Sequence, residues 1–114
     1  MRDSDELYEQ VRLVVAAIPS GRVTTYGDIA AVVPGAGARA VGRVMSNDSS
    51  DLPWWRVVNA SGRPAPGGEE RAREAYDEEG TPLVVRADRP YRVDLRAARW
   101  SPETDIDPAQ VDQP

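Results

Sequence analysis

Three times within the first 46 residues the apolar side chains recur at helical spacing, and each time a break follows. The first run, Leu7, Val11, Val14, Val15 and Ile18, stops at Pro19-Ser20-Gly21, where a ring without an N–H and a flexible glycine end the helix. Ser4 stands where an N-cap belongs, with Asp5 and Glu6 in the first turn, where unpaired N–H groups favour negative charge. The second run opens at Thr25, whose capping-box partner is Asp28, and passes through Ile29, Ala30, Val32 and Val33 to Pro34-Gly35. The third, Ala38 to Ser46, turns Val41, Val44 and Met45 inward. Two short helices joined by a tight Pro/Gly turn predict either a helix-turn-helix or an ordinary αα-hairpin in a small bundle, and spacing alone leaves both open.

The next stretch, "SSDLPWWRVVNASG", holds two of the three tryptophans side by side at the lip of a β-branched pair. Arg56 to Asn59 reads as a short strand, Ala60-Ser61-Gly62 as a turn and Arg63 to Ala65 as the return arm. A hairpin in that place is a wing. Glu69 to Glu79 reads as a charged helix with Gly80 just past its end. "PLVVRADRPYRVDLRAARW" then supplies one or two short strands and a final turn ending at Trp100. The expected fold is mainly α with small β, a winged helix-turn-helix over residues 1–100. Residues 101–114, with three prolines and no basic residue, are expected to be an acidic, disordered tail.

Composition removes whole classes of chemistry. The chain has no cysteine and no histidine, so disulfides, thiolate nucleophiles and zinc-cysteine sites are excluded, as are the commonest general base and metal ligand. No catalytic residue, metal ligand or cofactor is predicted. No apolar run approaches the ~18 residues of a membrane span, and the acidic N-terminus is unlike a signal peptide, so a cytoplasmic protein without a membrane partner is expected. All 14 basic residues are arginine, a planar and bidentate cation. The net charge of −5 argues against nucleic acid only as an average. Residues 20–63 carry five arginines against three aspartates, whereas the acid gathers in the 64–80 segment and the tail.

On the third helix Arg39, Gly42, Arg43 and Ser46 fall on one face, opposite the apolar stripe. A mid-helix glycine costs up to ~1 kcal/mol relative to alanine. Close approach of a phosphate backbone is one compensation for that cost. A solvated charged face is the alternative.

Taken together, "VTTYGDIA", "ARAVGRVMSN" and "PWWRVV", in that order and spacing, resemble the DNA-binding domain of the O6-alkylguanine-DNA alkyltransferases. The likeness is greater to their non-enzymatic relatives, the alkyltransferase-like proteins. It covers about residues 6 to 100, and "YRVDLRAARW" also resembles that group. It implies the fold of the alkyltransferases' C-terminal domain. In those enzymes the proline is followed by Cys-His-Arg-Val, with the cysteine accepting the alkyl group and the histidine generating its thiolate. Here Trp54 and Trp55 hold those places. An indole does not displace an alkyl group from a guanine oxygen at neutral pH, so the resemblance implies a receptor and no enzyme.

The same resemblance assigns the remaining roles. Tyr26 matches the tyrosine that presses on the phosphate beside the target nucleotide, and Arg39 the finger that fills the gap left by the flipped base. Gly42 matches the glycine on the DNA face, and Asn47 the asparagine bracing the turn after the recognition helix. The Val57 carbonyl stands where the guanine edge is read. Trp54 would form the pocket floor, with Trp55 beside it as a further departure from the enzymes. The lid arginine found in several relatives has no counterpart in "PAPGG", and the nearest candidates are Arg71 and then Arg63. The implied function is non-enzymatic recognition of O6-alkylguanine in duplex DNA, by minor-groove binding and nucleotide flipping. A monomer that flags lesions for nucleotide excision repair proteins is implied by the resemblance alone. The alternative is a winged-helix DNA-binding or regulatory module without lesion specificity, reading sequence with Arg39 and Arg43 in the major groove.

Overall fold

The structure is a computed structural model, and it describes residues 2–47 and 51–102. Helix α1 spans Arg2–Ala17. The helix is already under way at Arg2, so Ser4 is not its N-cap. Acidic residues are favoured throughout a helix's first turn, so that preference does not mark one boundary residue.

Thr24–Thr25 form strand β1, and Thr25 then caps helix α2, Tyr26–Val32. The capping box is complete. The Asp28 N–H donates to Thr25 Oγ1 at 3.0 Å, and the Thr25 N–H donates to Asp28 Oδ2 at 3.2 Å. Helix α3, Ala38–Asn47, buries Val41, Val44 and Met45 as the spacing predicts. The fold is a helix-turn-helix carried on α1, and α1, α2 and α3 share a core built from Val11, Val15, Ile18, Ile29, Val33 and Val41.

The wing is not where the sequence places it. After a 3-10 turn at Trp54–Arg56, strand β2 is only Val57–Val58. It pairs in parallel with β1, Thr24 opposite Val57 and Thr25 opposite Val58. Arg63 to Ala65 forms no strand. Pro64 has no N–H to offer a ladder, and the Asn59 side chain takes the Ser61 and Arg63 N–H groups into a closed local turn. Gly62 in that turn has φ +87, and a Cβ there would stand 2.5 Å from the Val93 carbonyl, so only glycine lets the later strand pass.

The antiparallel hairpin lies further on. Helix α4, Glu69–Glu79, ends at Gly80 in the left-handed region, and strands β3, Leu83–Arg86, and β4, Arg89–Val93, pair with a register shift between Val84 and Arg86. Helix α5, Leu95–Ala98, follows, where the sequence predicts only a turn. A second core of Val23, Val58, Ala72, Tyr76, Val93 and Ala98 lies beneath α4 and the hairpin. Trp100 returns to the first core and its N–H donates to the Val23 carbonyl at 2.7 Å. Trp54 packs against both cores, at their seam. The acidic tail expected over 101–114 lies, from residue 103 onward, outside the described residues.

Candidate nucleic-acid interface

A cavity of about 390 Å³ opens between four elements. Tyr26 enters it from the first residue of α2, and Gly42, Met45, Ser46 and Asn47 line it from α3. Trp54 comes from the 3-10 turn, Ala65, Pro66 and Gly68 from the loop before α4, and Arg71 from that helix's first turn. Tyr26 is half-buried, and burial raises its phenol pKa, so the hydroxyl stays a neutral donor. Gly42 faces open space, because a Cβ built there meets nothing within 4 Å.

Six residues singled out from the sequence therefore share one cavity: Tyr26, Gly42, Ser46, Asn47, Trp54 and Arg71. Arg39 is exposed on α3 outside the cavity wall. Arg43 is exposed too, but it lines a neighbouring groove with Leu7, Tyr8 and Val44, on the α1 side of the helix. Val57 is buried in the first core and is not part of the wall. Arg63 pairs weakly with Glu69 at 3.9 Å and is not on the wall, so Arg71 is the arginine that lines the cavity.

Trp55 is likewise not on the wall. Its ring meets Trp54 edge-on at 5.7 Å and packs on the second core. Its indole N–H donates to Glu79 Oε2 at 3.0 Å. The same carboxylate accepts from Arg56 at 2.6 and 3.2 Å and from the Gly21 backbone N–H at 3.0 Å. Burial pushes the Glu79 pKa up, but these donors and the Arg56 charge outweigh it and hold the group below its ordinary value. Tyr76 closes the cluster by donating to the Trp55 carbonyl at 2.6 Å. Trp55 is thus a brace behind the site, a role that no local pattern marks, because its partner lies on another helix.

The charges sort in a telling way. Arg12, Arg56, Arg63, Arg73, Arg89 and Arg99 each face a carboxylate. Among the described residues Arg39, Arg43 and Arg71 face none: Arg71 lines the cavity, and Arg39 and Arg43 are exposed on α3. A second unpaired set, Arg86, Arg92 and Arg96, lies on the hairpin and α5. The sequence reading also missed Met45, assigned wholly to the core, and Gly68, read as loop. The "GG" before a helix that lacks a Ser, Asp or Asn cap was the available signal for Gly68.

Residues 6–81 match the family model for the 6-O-methylguanine DNA methyltransferase DNA-binding domain. Alkyltransferase-like protein 1 of Schizosaccharomyces pombe is 35% identical over 105 residues, which is 86% of this chain and 97% of that protein. The chain belongs to the alkyltransferase-like family. A DNA base-flipping protein of Escherichia coli is 40% identical over 107 residues, covering 89% of this chain and 79% of the relative. The crystal structure of S. pombe Atl1 with damaged DNA containing O6-carboxymethylguanine superposes with a TM-score of 0.73 at 34% identity, over 84% of this chain and 95% of that one. The Mycobacterium tuberculosis O6-methylguanine methyltransferase gives 0.55 at 31% identity, over 73% of this chain and 52% of that one. The fold is therefore common to a protein crystallised with damaged DNA and to a methyltransferase.

Proposed function

We propose that the protein binds O6-alkylguanine in duplex DNA, flips the modified nucleotide into the Trp54 cavity and leaves the alkyl group in place. One observation carries this reading: Gly42 opens onto the cavity with no intramolecular contact that needs a glycine. Its helical cost then has its compensation outside the chain, in close approach of a backbone along α3. The names of the relatives and the damaged DNA in the neighbouring crystal structure support the same reading. No residue of the chain is a cysteine, so the thiol acceptor of the enzymes has no equivalent anywhere in it.

In this reading Tyr26 presses a neutral hydroxyl against the phosphate beside the lesion, Arg39 fills the vacated stack and Trp54 packs against the base and its alkyl group. Ser46 and Arg43 hold phosphates, Asn47 lines the cavity at the end of α3, and Arg71 covers the base. The unit responsible is residues 1–100, acting as a monomer in the cytoplasm, and its product is a marked lesion for nucleotide excision repair proteins. A fluorescent base analogue beside the lesion reports the extrusion. Arg39→Ala should abolish that signal and weaken lesion binding by about 1–3 kcal/mol, while Arg43→Ala should weaken lesion and undamaged duplexes alike, because a phosphate contact carries no base information. Identical behaviour of the two variants on both duplexes overturns the finger assignment.

A further inference from the structure

Gly68 precedes α4 with φ −110 and ψ 12, a conformation that any residue adopts. The backbone therefore does not require glycine there. Ser, Asp and Asn are the favoured residues at helix starts, and α4 begins with no side-chain cap bond. What requires glycine is a tryptophan. A Cβ on Gly68 would stand 3.0 Å from both Cη2 and Cζ3 of Trp54. Carbon atoms settle at about 3.5–4.0 Å, so a methyl group here requires one side to give by a few tenths of an ångström.

The start of α4 is the side held in place. The Gly68 N–H donates to the Ala65 carbonyl at 3.2 Å, the Ala72 N–H donates to the Gly68 carbonyl at 2.8 Å, and the Tyr91 hydroxyl donates to the Glu69 carbonyl. Trp54 is bounded on another side by the edge-on ring of Trp55. The unfilled space beside it is the cavity. A side chain at position 68 therefore shifts the Trp54 ring toward the cavity.

We propose that Gly68 is a specificity-determining residue: by letting the Trp54 ring withdraw against the start of α4, it sets how large an O6 substituent the cavity admits. The available volume agrees. A cavity of roughly 150 Å³ is enough for a benzene ring, and 390 Å³ leaves room for a bicyclic base with a substituent of several heavy atoms. Withdrawal of the ring is what keeps that margin open. This deepens the lesion-binding reading and rests on it.

The test compares duplexes carrying guanine, O6-methylguanine and O6-butylguanine at one site, with wild type, Gly68→Ala and Gly68→Ser. The serine variant repeats the added Cβ with a second side chain, and thermal unfolding of both variants separates a folding defect from a binding one. The expected result is a loss of about tenfold or more for the butyl duplex with the methyl duplex within about threefold. The effect should vanish when Trp54→Ala is added, since coupling between contacting residues shows as non-additivity. Equal losses for methyl and butyl, or a Gly68 effect that persists without Trp54, overturn the proposal while the wild type still prefers modified DNA. A wild type with no preference for either modified duplex overturns the functional reading and this proposal with it.

Discussion

A Cβ on Gly42 would meet nothing within 4 Å, and position 42 sits in the middle of a ten-residue helix. Gly42→Ala should therefore stabilise the free protein by up to ~1 kcal/mol through helix propensity. The same methyl group projects toward the cavity and the DNA, and should weaken duplex binding by tenfold or more. Thermal unfolding and a binding titration on the one variant check the opposite signs, and parallel changes would contradict the account of this face. Trp54 and Trp55 give a second test at this scale. Trp54→Cys alone should transfer no alkyl group, because an unassisted thiol with a pKa near ~8.5 is only a few per cent thiolate at neutral pH. Trp55→His added to it places an imidazole nitrogen at the reach of the present indole nitrogen, 3.0 Å from Glu79. That carboxylate would orient the base, so the double variant should take up labelled methyl above the level of the single one. Efficient transfer by Trp54→Cys alone would refute the role given to Trp55.

Among the elements, the 3-10 turn and α4 are joined by one carboxylate. Glu79 receives Trp55, Arg56 and the Gly21 backbone, and its ion pair with Arg56 is largely buried, 17% and 12% exposed. Its pKa is held below the ordinary carboxylate value, so its contribution to stability is complete above about pH 4.3 and is lost as the pH falls through the lower folded value. Glu79→Gln should cost about 2–3 kcal/mol at pH 7, somewhat less than breaking a fully buried pair, and the gap to wild type should narrow as the pH is lowered below about 4.3. Urea titrations above and below that pH measure it, and a gap that is constant with pH would contradict the assigned linkage. This hub was not legible in the sequence, because Trp55 and Glu79 are 24 residues apart and no periodicity links them. The capping box of α2 was legible because Thr25 and Asp28 are near neighbours, and α4 was bounded correctly by Gly80. The wing was misplaced for a related reason. Val57 and Val58 look like one arm of a local hairpin, but their partners are Thr24 and Thr25, far upstream, and such pairing leaves no local pattern. The cavity was readable only through ordered motifs, since Tyr26, Gly42 and Trp54 converge from three elements.

The whole molecule carries a net charge of −5 and still presents a surface suited to an anion. The acids of α4 are in part neutralised at home, Glu79 by Arg56, Glu69 by Arg63 and Asp77 by Arg73. Among the described residues, Arg71 at the cavity and Arg39 and Arg43 on the exposed part of α3 have no carboxylate partner. Local field, more than net charge, governs encounter with a polyanion. Affinity should accordingly fall with salt on any duplex, while the preference between duplexes comes from the cavity and survives it. The most direct measurement is therefore a titration at one fixed salt concentration of two duplexes identical except for guanine or O6-methylguanine at a single position, with the DNA recovered and analysed afterwards. The account predicts binding at least several-fold tighter to the modified duplex, with every methyl group still on the DNA. Equal affinity for the two duplexes, or methyl appearing on the protein, would contradict it.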